Sequence, residues 1–355
     1  MTDKGLDELR SEVDRINQDL VELLNKRAKV AKQIGKAKQG APVYDPAREA
    51  AVLRSVAAAN QGPLSDDAVK GIFKEVIAAC RAIQQPPRVA YLGPGGTYCE
   101  EAARRQCGYA CQYLPAATID EAVALAETDQ ADAAVVPIEN STEGAVNRTL
   151  DILLTSGLKI CGEIALPIRH QLITNAKALE GITEVCAHPQ ALAQCRAWLA
   201  GHLPGAKQTP VASNAAAVQI ASQRPEVAAI AGAKAAEYYG LPILHPDIHD
   251  DTCNTTRFVV LGKAAASPTG NDKTSLVWSV ANRPGALLEA LAVLSERRIN
   301  MVKLESRPAK DGRWEYVFYV DVEGHAQDEP LAQALRQLEK QLKLVKVLGS
   351  YPKAG

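Results

Sequence analysis

Leu6, Leu9, Val13, Ile16, Leu20, Leu23, Val30 and Ile34 follow one another in steps of three, four and seven, with no proline among them. That period keeps the apolar side chains on one side of an α-helix, so the sequence predicts a single helix over 6–39, about 50 Å long at ~1.5 Å per residue. Residues 1–86 cannot cover so long a stripe alone, and the helix is expected to lay it against a second copy of the chain. Asp45-Pro46 reads as an N-cap followed by proline at the first helical position. Gly62-Pro63-Leu64-Ser65 then separates that short helix from a third, which carries Val69, Ile72, Phe73, Val76, Ile77, Cys80 and Ile83. The first segment is therefore all helix, in the order long, short, long.

With Lys26 set to zero and about 100° per residue, the apolar stripe of the long helix spans roughly 40° to 160°. Lys26, Lys29, Lys32 and Lys36 fall outside it and read as an ordinary solvated face. Arg27 and Lys38 fall inside it, where a cation is costly unless an anion meets it. These two stand about 16 Å apart along the axis, whereas Arg10 lies about 25 Å from Arg27 and about 100° round the helix. Arg10 cannot join their site from the same straight helix. An antiparallel partner brings it in.

Gln84-Gln85-Pro86-Pro87 and the small, polar stretch 263–273 read as linkers, giving segments 1–86, 87–263 and 272–355. The middle segment alternates strand-like runs at 89–92, 133–136, 172–174, 228–231 and 258–261 with helical stretches. It predicts an α/β domain with a cleft between two lobes. The last segment reads strand (275–280), helix (285–297), strand (300–306), a Lys310-Asp311-Gly312 turn, strand (314–320), helix (329–342) and strand (343–349). This βαββαβ order is ferredoxin-like.

Forty basic against 41 acidic side chains leave a net charge of −1, which removes the electrostatic footprint of a dedicated nucleic-acid binder. Aromatic residues, at 5%, offer few platforms for stacked bases. The eight cysteines contain no Cys-x-x-Cys and no Cys/His pairing at zinc spacing. No apolar run reaches about 18 residues and no apolar region follows Met1. The expectation is a reduced, cytoplasmic protein without nucleic-acid or membrane partners, metal or organic cofactor.

The first segment resembles the all-helical chorismate mutases through Leu9-Arg10, residues 24–27, Ile34-Gly35-Lys36-Ala37-Lys38, Asp45-Pro46-Ala47-Arg48-Glu49 and the final helix. The resemblance implies that Arg27 and a partner's Arg10 clamp the two carboxylates of chorismate, while Lys38 and Gln84 donate to its ether oxygen. It further implies that Asp45 and Glu49 hold the substrate hydroxyl, with Arg48 beside them, and that Cys80, a serine in many relatives, lines the wall. No nucleophile is needed, because a pericyclic rearrangement requires only a folded substrate and stabilisation of charge on the breaking ether. An N-cap role for Asp45 and core packing for Cys80 account for those two residues equally well.

In the middle segment, Pro137-Ile138-Glu139-Asn140-Ser141, Ala187-His188-Pro189-Gln190 ahead of Gln194, Ser213-Asn214-Ala215-Ala216 and Asn254-Thr255-Thr256-Arg257-Phe258 resemble the matching motifs of prephenate dehydratases, over roughly 88–263. The resemblance implies Thr256 as donor to the departing hydroxyl, with Thr97, Glu139, Asn140, Gln194, Ser213 and Arg257 shaping the site. Ala187 and Cys99 stand where several relatives have serine, and His188 is expected to start a helix or fill a packing position. Gly93-Pro94-Gly95-Gly96-Thr97 lacks both G-x-G-x-x-G and a P-loop ending, so no nucleotide site is expected, although its N–H groups could meet a carboxylate.

In the last segment, Gly285-Ala286-Leu287 after Arg283-Pro284, and Glu305-Ser306-Arg307-Pro308 on the strand that starts at Asn300, resemble the phenylalanine-binding motifs of ACT regulatory domains. The resemblance implies a phenylalanine site between the C-terminal domains of two chains. Turn chemistry alone also accounts for both stretches. Taken in order, the three segments resemble the bifunctional chorismate mutase/prephenate dehydratases, which implies conversion of chorismate through prephenate to phenylpyruvate, feedback inhibition by phenylalanine, and a homodimer or dimer of dimers. Two other classes stay open: a non-catalytic amino-acid-binding regulatory protein, and a nucleic-acid-linked regulator using the basic stretch 26–38.

Overall fold

The computed structural model describes residues 3–37, 46–83, 86–308 and 316–354. The chain forms two compact units, Met1–Pro87 with Cys107–Gln112, and Arg88–Gln106 with Tyr113–Gly355.

In the first unit the long apolar period folds as α1 (Asp3–Ala37), followed by α2 (Pro46–Ala59) and α3 (Asp66–Ala82). Lys38 and Asp45 lie outside the described residues, and α2 opens on Pro46, where a missing N–H is harmless. Ser65 caps α3 by accepting from Ala68 N at 3.2 Å. α3 packs on both other helices and buries Ala78, Cys80 and Arg81. Gly108, at φ +84°, lets residues 107–112 lie against α3, where a Cβ would stand 2.2 Å from that of Ala78. One chain leaves the stripe of α1 uncovered: Leu9, Val13, Ile16 and Leu23 are 52%, 54%, 51% and 59% exposed.

The second unit begins with a lobe built from β1 (Arg88–Leu92), α4 (Tyr98–Cys107), β2 (Gln112–Ala116), α5 (Ile119–Glu127), β3 (Ala133–Asn140), β4 (Gly144–Ala145), α6 (Asn147–Thr155) and β5 (Lys159–Pro167). The chain then crosses to a second lobe: β6 (Gln171–Ile173), β7 (Glu184–Ala187), α7 (Pro189–Gln194), α8 (Arg196–His202), β8 (Lys207–Pro210), α9 (Asn214–Gln223), β9 (Val227–Ala231), α10 (Ala233–Tyr239) and β10 (Ile243–His245). It returns to the first lobe as β11 (Thr255–Gly262). The sheets run β2-β1-β3-β11-β5, with β4 beside β3, and β10-β6-β9-β7-β8. The expected two-lobed α/β arrangement is present, although the sequence pattern does not reveal β2, β4, β5, β7, β8 or β10.

The remaining elements are β12 (Asp272–Ser279), α11 (Ala286–Glu296), β13 (Met301–Pro308), β14 (Tyr316–Glu323), α12 (Glu329–Gln341) and β15 (Leu344–Pro352), with sheet order β13-β14-β12-β15. This is the ferredoxin-like order; the 310–312 turn and Trp314 lie outside the described residues. Leu276, Trp278, Phe318 and Val320 pack with α11 and α12 in one core. Val277, Tyr319, Leu348 and Tyr351, from the same sheet, share a second core with Leu150, Leu153, Ile160 and Val259 of the first lobe. The middle and last segments therefore pack as one unit. The linker also ends earlier than expected, because Asp272 and Lys273 are buried strand residues.

Candidate active site

The chain passes between the lobes at 167–171 and again at 245–255, and backbone bonds tie the two crossings together. Ile168 N donates to Asn254 O and Ile248 N to His170 O, each at 2.8 Å. Next to them the antiparallel pair β3–β11 sets Thr256 opposite Asn140 and Arg257 opposite Glu139. Because neighbouring residues on a strand point to opposite faces, this register puts Thr256 with Asn140 on one face and Arg257 with Glu139 on the other.

On the Thr256 face the hydrogen bonds run in one direction. His170 Nε2 meets Gln194 Oε1 at 2.8 Å, Gln194 Nε2 donates to Thr142 Oγ1 at 3.3 Å, and Thr142 Oγ1 donates to Asn140 Oδ1 at 2.6 Å. Asn140 Nδ2 then donates to Thr256 Oγ1 at 2.9 Å and to Asn254 Oδ1 at 2.8 Å. The backbone N–H groups of Thr142 and Glu143, each at 3.1 Å, also point at Asn140 Oδ1, which fixes which end of that amide faces Thr256. Among the described residues the Thr256 hydroxyl hydrogen meets no acceptor, so the series ends in a donor that is left for a ligand.

His170 and Asn254 belong to this cluster and were not singled out from the sequence. Tyr98 Oη donates to Arg169 O at 2.7 Å and lies 3.1 Å from His170 Nδ1. Burial lowers the His170 pKa and so favours a neutral ring, whose proton the network assigns to Nε2. Asn254 is buried, and its Nδ2 has no partner among the described residues, a second donor held for a ligand. The available signal was position: each stands where the chain crosses between lobes.

Arg257 and Glu139, expected to help shape the site, lie on the opposite face of the strand pair from Thr256. Arg257 turns from Thr256 toward Glu139 at 3.2 Å, Glu163 at 3.1 Å and Asp321 at 2.7 Å. Burial works against its charge, but Asp321, Glu163 and Glu139 more than reverse this and hold it protonated above the ordinary arginine range. Thr97 and Ser213 sit at helix starts, accepting from Glu100 N at 3.3 Å and Ala216 N at 3.1 Å. No hydrogen bond among the described residues joins either of them to Asn140 or Gln194. Gly96 N–H already meets Glu100 Oε2 at 2.7 Å, so it is not free for a carboxylate. A Cβ at Gly95 would stand 2.6 Å from the ring of Tyr238, an exposed side chain with room to move aside. His188 starts α7, its Nδ1 accepting from Gln190 N at 3.3 Å, as expected of a helix-start histidine. Ala187 and Cys99 are core residues, and burial pushes the Cys99 thiol up to about 12.

In the helical unit Arg27 Nη1 points at Val76 O, 3.5 Å away, and Arg10 pairs with Asp7 at 3.4 Å. Arg48 is exposed and Cys80 buried. Glu49 forms an ion pair with Arg81, a buried arginine the sequence reading passed over, which also donates to Cys107 O. Lys38, Asp45 and Gln84 lie outside the described residues.

Near the C-terminal end a cavity of about 310 Å³ opens at the start of α11, lined by Asn282, Gly285, Ala286, Leu287, Tyr316 and Phe318 among others. Gly285 takes φ +81°, a conformation glycine adopts without strain. The β13 residues expected beside it do not line this cavity. Arg307 turns to α6, donating to Asn147 O at 2.8 Å, Asn300 Nδ2 donates to Glu323 Oε2 at 3.0 Å, and Glu305, Ser306 and Pro308 lie along the edge strand. Among the described residues no group of three or more His, Cys, Asp or Glu side chains is placed to hold a metal, and no helix is long and apolar enough to cross a membrane.

Family models match along the chain: chorismate mutase type II over residues 9–85, prephenate dehydratase over 89–266 and the ACT domain over 274–340. A bifunctional chorismate mutase/prephenate dehydratase of Neisseria gonorrhoeae is 45% identical, covering 97% of this chain and 96% of that protein. The protein of the same description from Aquifex aeolicus is 43% identical over 98% of both. Among solved structures, a prephenate dehydratase of Arthrobacter aurescens in complex with L-Phe is 36% identical, covering 75% of this chain and 90% of that one with a TM-score of 0.70.

Proposed function

This chain belongs to the bifunctional chorismate mutase/prephenate dehydratase family, and from that premise we propose how its residues divide the two reactions. Residues 1–86 carry the mutase, 87–263 the dehydratase and 272–355 the regulatory domain. The chain rearranges chorismate to prephenate and then removes carbon dioxide and hydroxide from prephenate to give phenylpyruvate. An amino-acid-binding protein without catalysis is not favoured, given relatives of this similarity over nearly the whole length.

The observation that carries the dehydratase reading is the one-way series from His170 to Thr256. As the ring carboxylate leaves as carbon dioxide, its bonding electron pair enters the ring and expels hydroxide from the opposite carbon. Charge develops on that departing oxygen, which is where a fixed donor helps most. Each hydrogen bond in the series polarises the next, so the Thr256 hydroxyl becomes a stronger donor than an isolated threonine. A threonine is a weak acid, and its part is polarisation rather than full proton transfer. Asn254 Nδ2 is the second donor for the substrate.

In the mutase, Arg27 and the partner's Arg10 hold the two carboxylates, Lys38 and Gln84 the ether oxygen, and Asp45 and Glu49 the hydroxyl. The uncovered stripe of α1 supports a homodimer, or a dimer of dimers, in a cytoplasmic protein. Phenylalanine binds in the cavity at Gly285, closed by β13 of a second chain, with its carboxylate at the N-terminal end of α11, where no side chain caps the helix. Purified protein given prephenate alone, without added metal or cofactor, should release carbon dioxide and phenylpyruvate in equal amounts. No release would overturn the dehydratase half of the reading.

A further inference from the structure

Lys303 and Arg307 share one face of β13, and both reach the first lobe. Lys303 Nζ, itself buried, lies 2.9 Å from Glu139 Oε2 in an ion pair without hydrogen-bond alignment, and Arg307 Nη1 lies 3.3 Å from Asp151 Oδ1. The same Glu139 oxygen is 3.2 Å from Arg257 Nη2. Arg257 also meets Glu163 and Asp321, and Lys273 meets Glu163 at 2.7 Å. The lobe thus contributes two carboxylates and one cation (Glu139, Glu163, Arg257), while the regulatory sheet contributes two cations and one carboxylate (Lys273, Lys303, Asp321). The formal charges cancel, with an excess of one opposite charge on each side.

This cluster lies on the reverse face of the strand pair that presents Asn140 and Thr256. Glu139 precedes Asn140 and Arg257 follows Thr256, so each charged side chain is anchored on a residue next to one that carries a donor. The ladder also slips in register between Arg257 and Phe258, which leaves less regular pairing to hold the strands by itself. Arg257, shared among three carboxylates, cannot neutralise Glu139 alone. Lys303 is the nearer cation, and it comes from the strand that carries Glu305-Ser306-Arg307-Pro308.

We propose that Lys303 is a positioning residue for the dehydration, fixing Glu139 from the regulatory sheet and thereby holding Asn140 and Thr256 in reacting geometry. A ligand that moves β13 then moves the site. The inference rests on the dehydratase reading, and the test separates the two. Lys303→Met, Lys303→Arg and wild type are assayed with prephenate and, separately, with chorismate. Lys303→Met should lose about tenfold or more in dehydratase kcat, since a shift of about 1 Å in a catalytic group can cost far more. KM should change by less than about threefold and mutase turnover should persist, while Lys303→Arg, which keeps the charge, should recover most of the loss.

Wild-type kcat in Lys303→Met overturns the proposal. Should Lys303→Met misfold and lose both activities, the pair Glu139→Gln with Lys303→Met leaves no unpaired charge and is compared with Glu139→Gln alone. Equal kcat, within about twofold, supports one shared pathway, and a further multiplicative loss overturns it. Failure of the wild type to consume prephenate refutes the dehydratase reading instead.

Discussion

Thr256 Oγ1 accepts from Asn140 and, among the described residues, donates to nothing, so its hydroxyl is the natural point of substitution. Thr256→Val keeps the side-chain shape and removes the donor. Dehydratase kcat is expected to fall by about 10² to 10³, with KM little changed and mutase turnover intact, in steady-state assays on each substrate. His170 gives a pH test. Burial depresses its folded pKa below the unfolded value of about 6.5, so below that pH the unfolded chain takes up a proton that the folded one resists. Stability is therefore lost as pH falls through about 6.5 toward the folded pKa, and His170→Gln should remove that share. Melting curves at about pH 7 and pH 5 should show a smaller drop in Tm for the variant than for wild type. Thr256, Asn140 and Gln194 were legible because they sit in recognisable motifs, whereas His170 lies in a run whose apolar neighbours dominate the pattern. The outward turn of Arg257 was not legible, because it depends on carboxylates on β5 and β14.

At the scale of elements, the strands of the middle segment read from the sequence, β1, β3, β6, β9 and β11, hold interior positions in their sheets, whereas β13 and β15 of the last segment were read although they are edges. Four of those missed, β2, β5, β8 and β10, are sheet edges. β2 holds Pro115 and β8 ends on Pro210, residues an edge tolerates, whereas the proline of interior β3, Pro137, sits opposite Phe258 at the slip in the ladder. β5 hides Glu163, only 1% exposed at its side chain, and nothing local announces that Arg257 and Lys273 will meet it. The helices of the first and last segments were legible because period and punctuation agree over many residues. The close packing of β15 on β5 was not, and it makes Gly349 a sensitive position. A Cβ there would stand 2.0 Å from Ile160 O, a backbone atom that cannot swing aside. Gly349→Ala should destabilise the protein by at least about 1–3 kcal/mol, the usual range for overpacking, read as a lower midpoint in chemical denaturation. An unchanged midpoint would mean that the two sheets are not held so closely.

On the scale of the whole molecule, α1 presents an apolar stripe that a single chain leaves more than half exposed at Leu9, Val13, Ile16 and Leu23. Ile16→Glu places a charge in the middle of that stripe and should give monomers on sedimentation. Those monomers should lose mutase turnover, because each would lack the partner's Arg10. A dimer with normal mutase activity would place Arg10 outside the site. The dehydratase cluster lies entirely within the second unit and needs no residue of α1. The two reactions should therefore be separable in one polypeptide, and the most direct measurement follows chorismate, prephenate and phenylpyruvate separately in wild type, Arg27→Ala and Thr256→Val. Wild type should carry chorismate through to phenylpyruvate, Arg27→Ala should leave chorismate untouched yet consume added prephenate, and Thr256→Val should accumulate prephenate. Loss of both activities in either folded variant, or normal chorismate turnover by Arg27→Ala, would contradict the account.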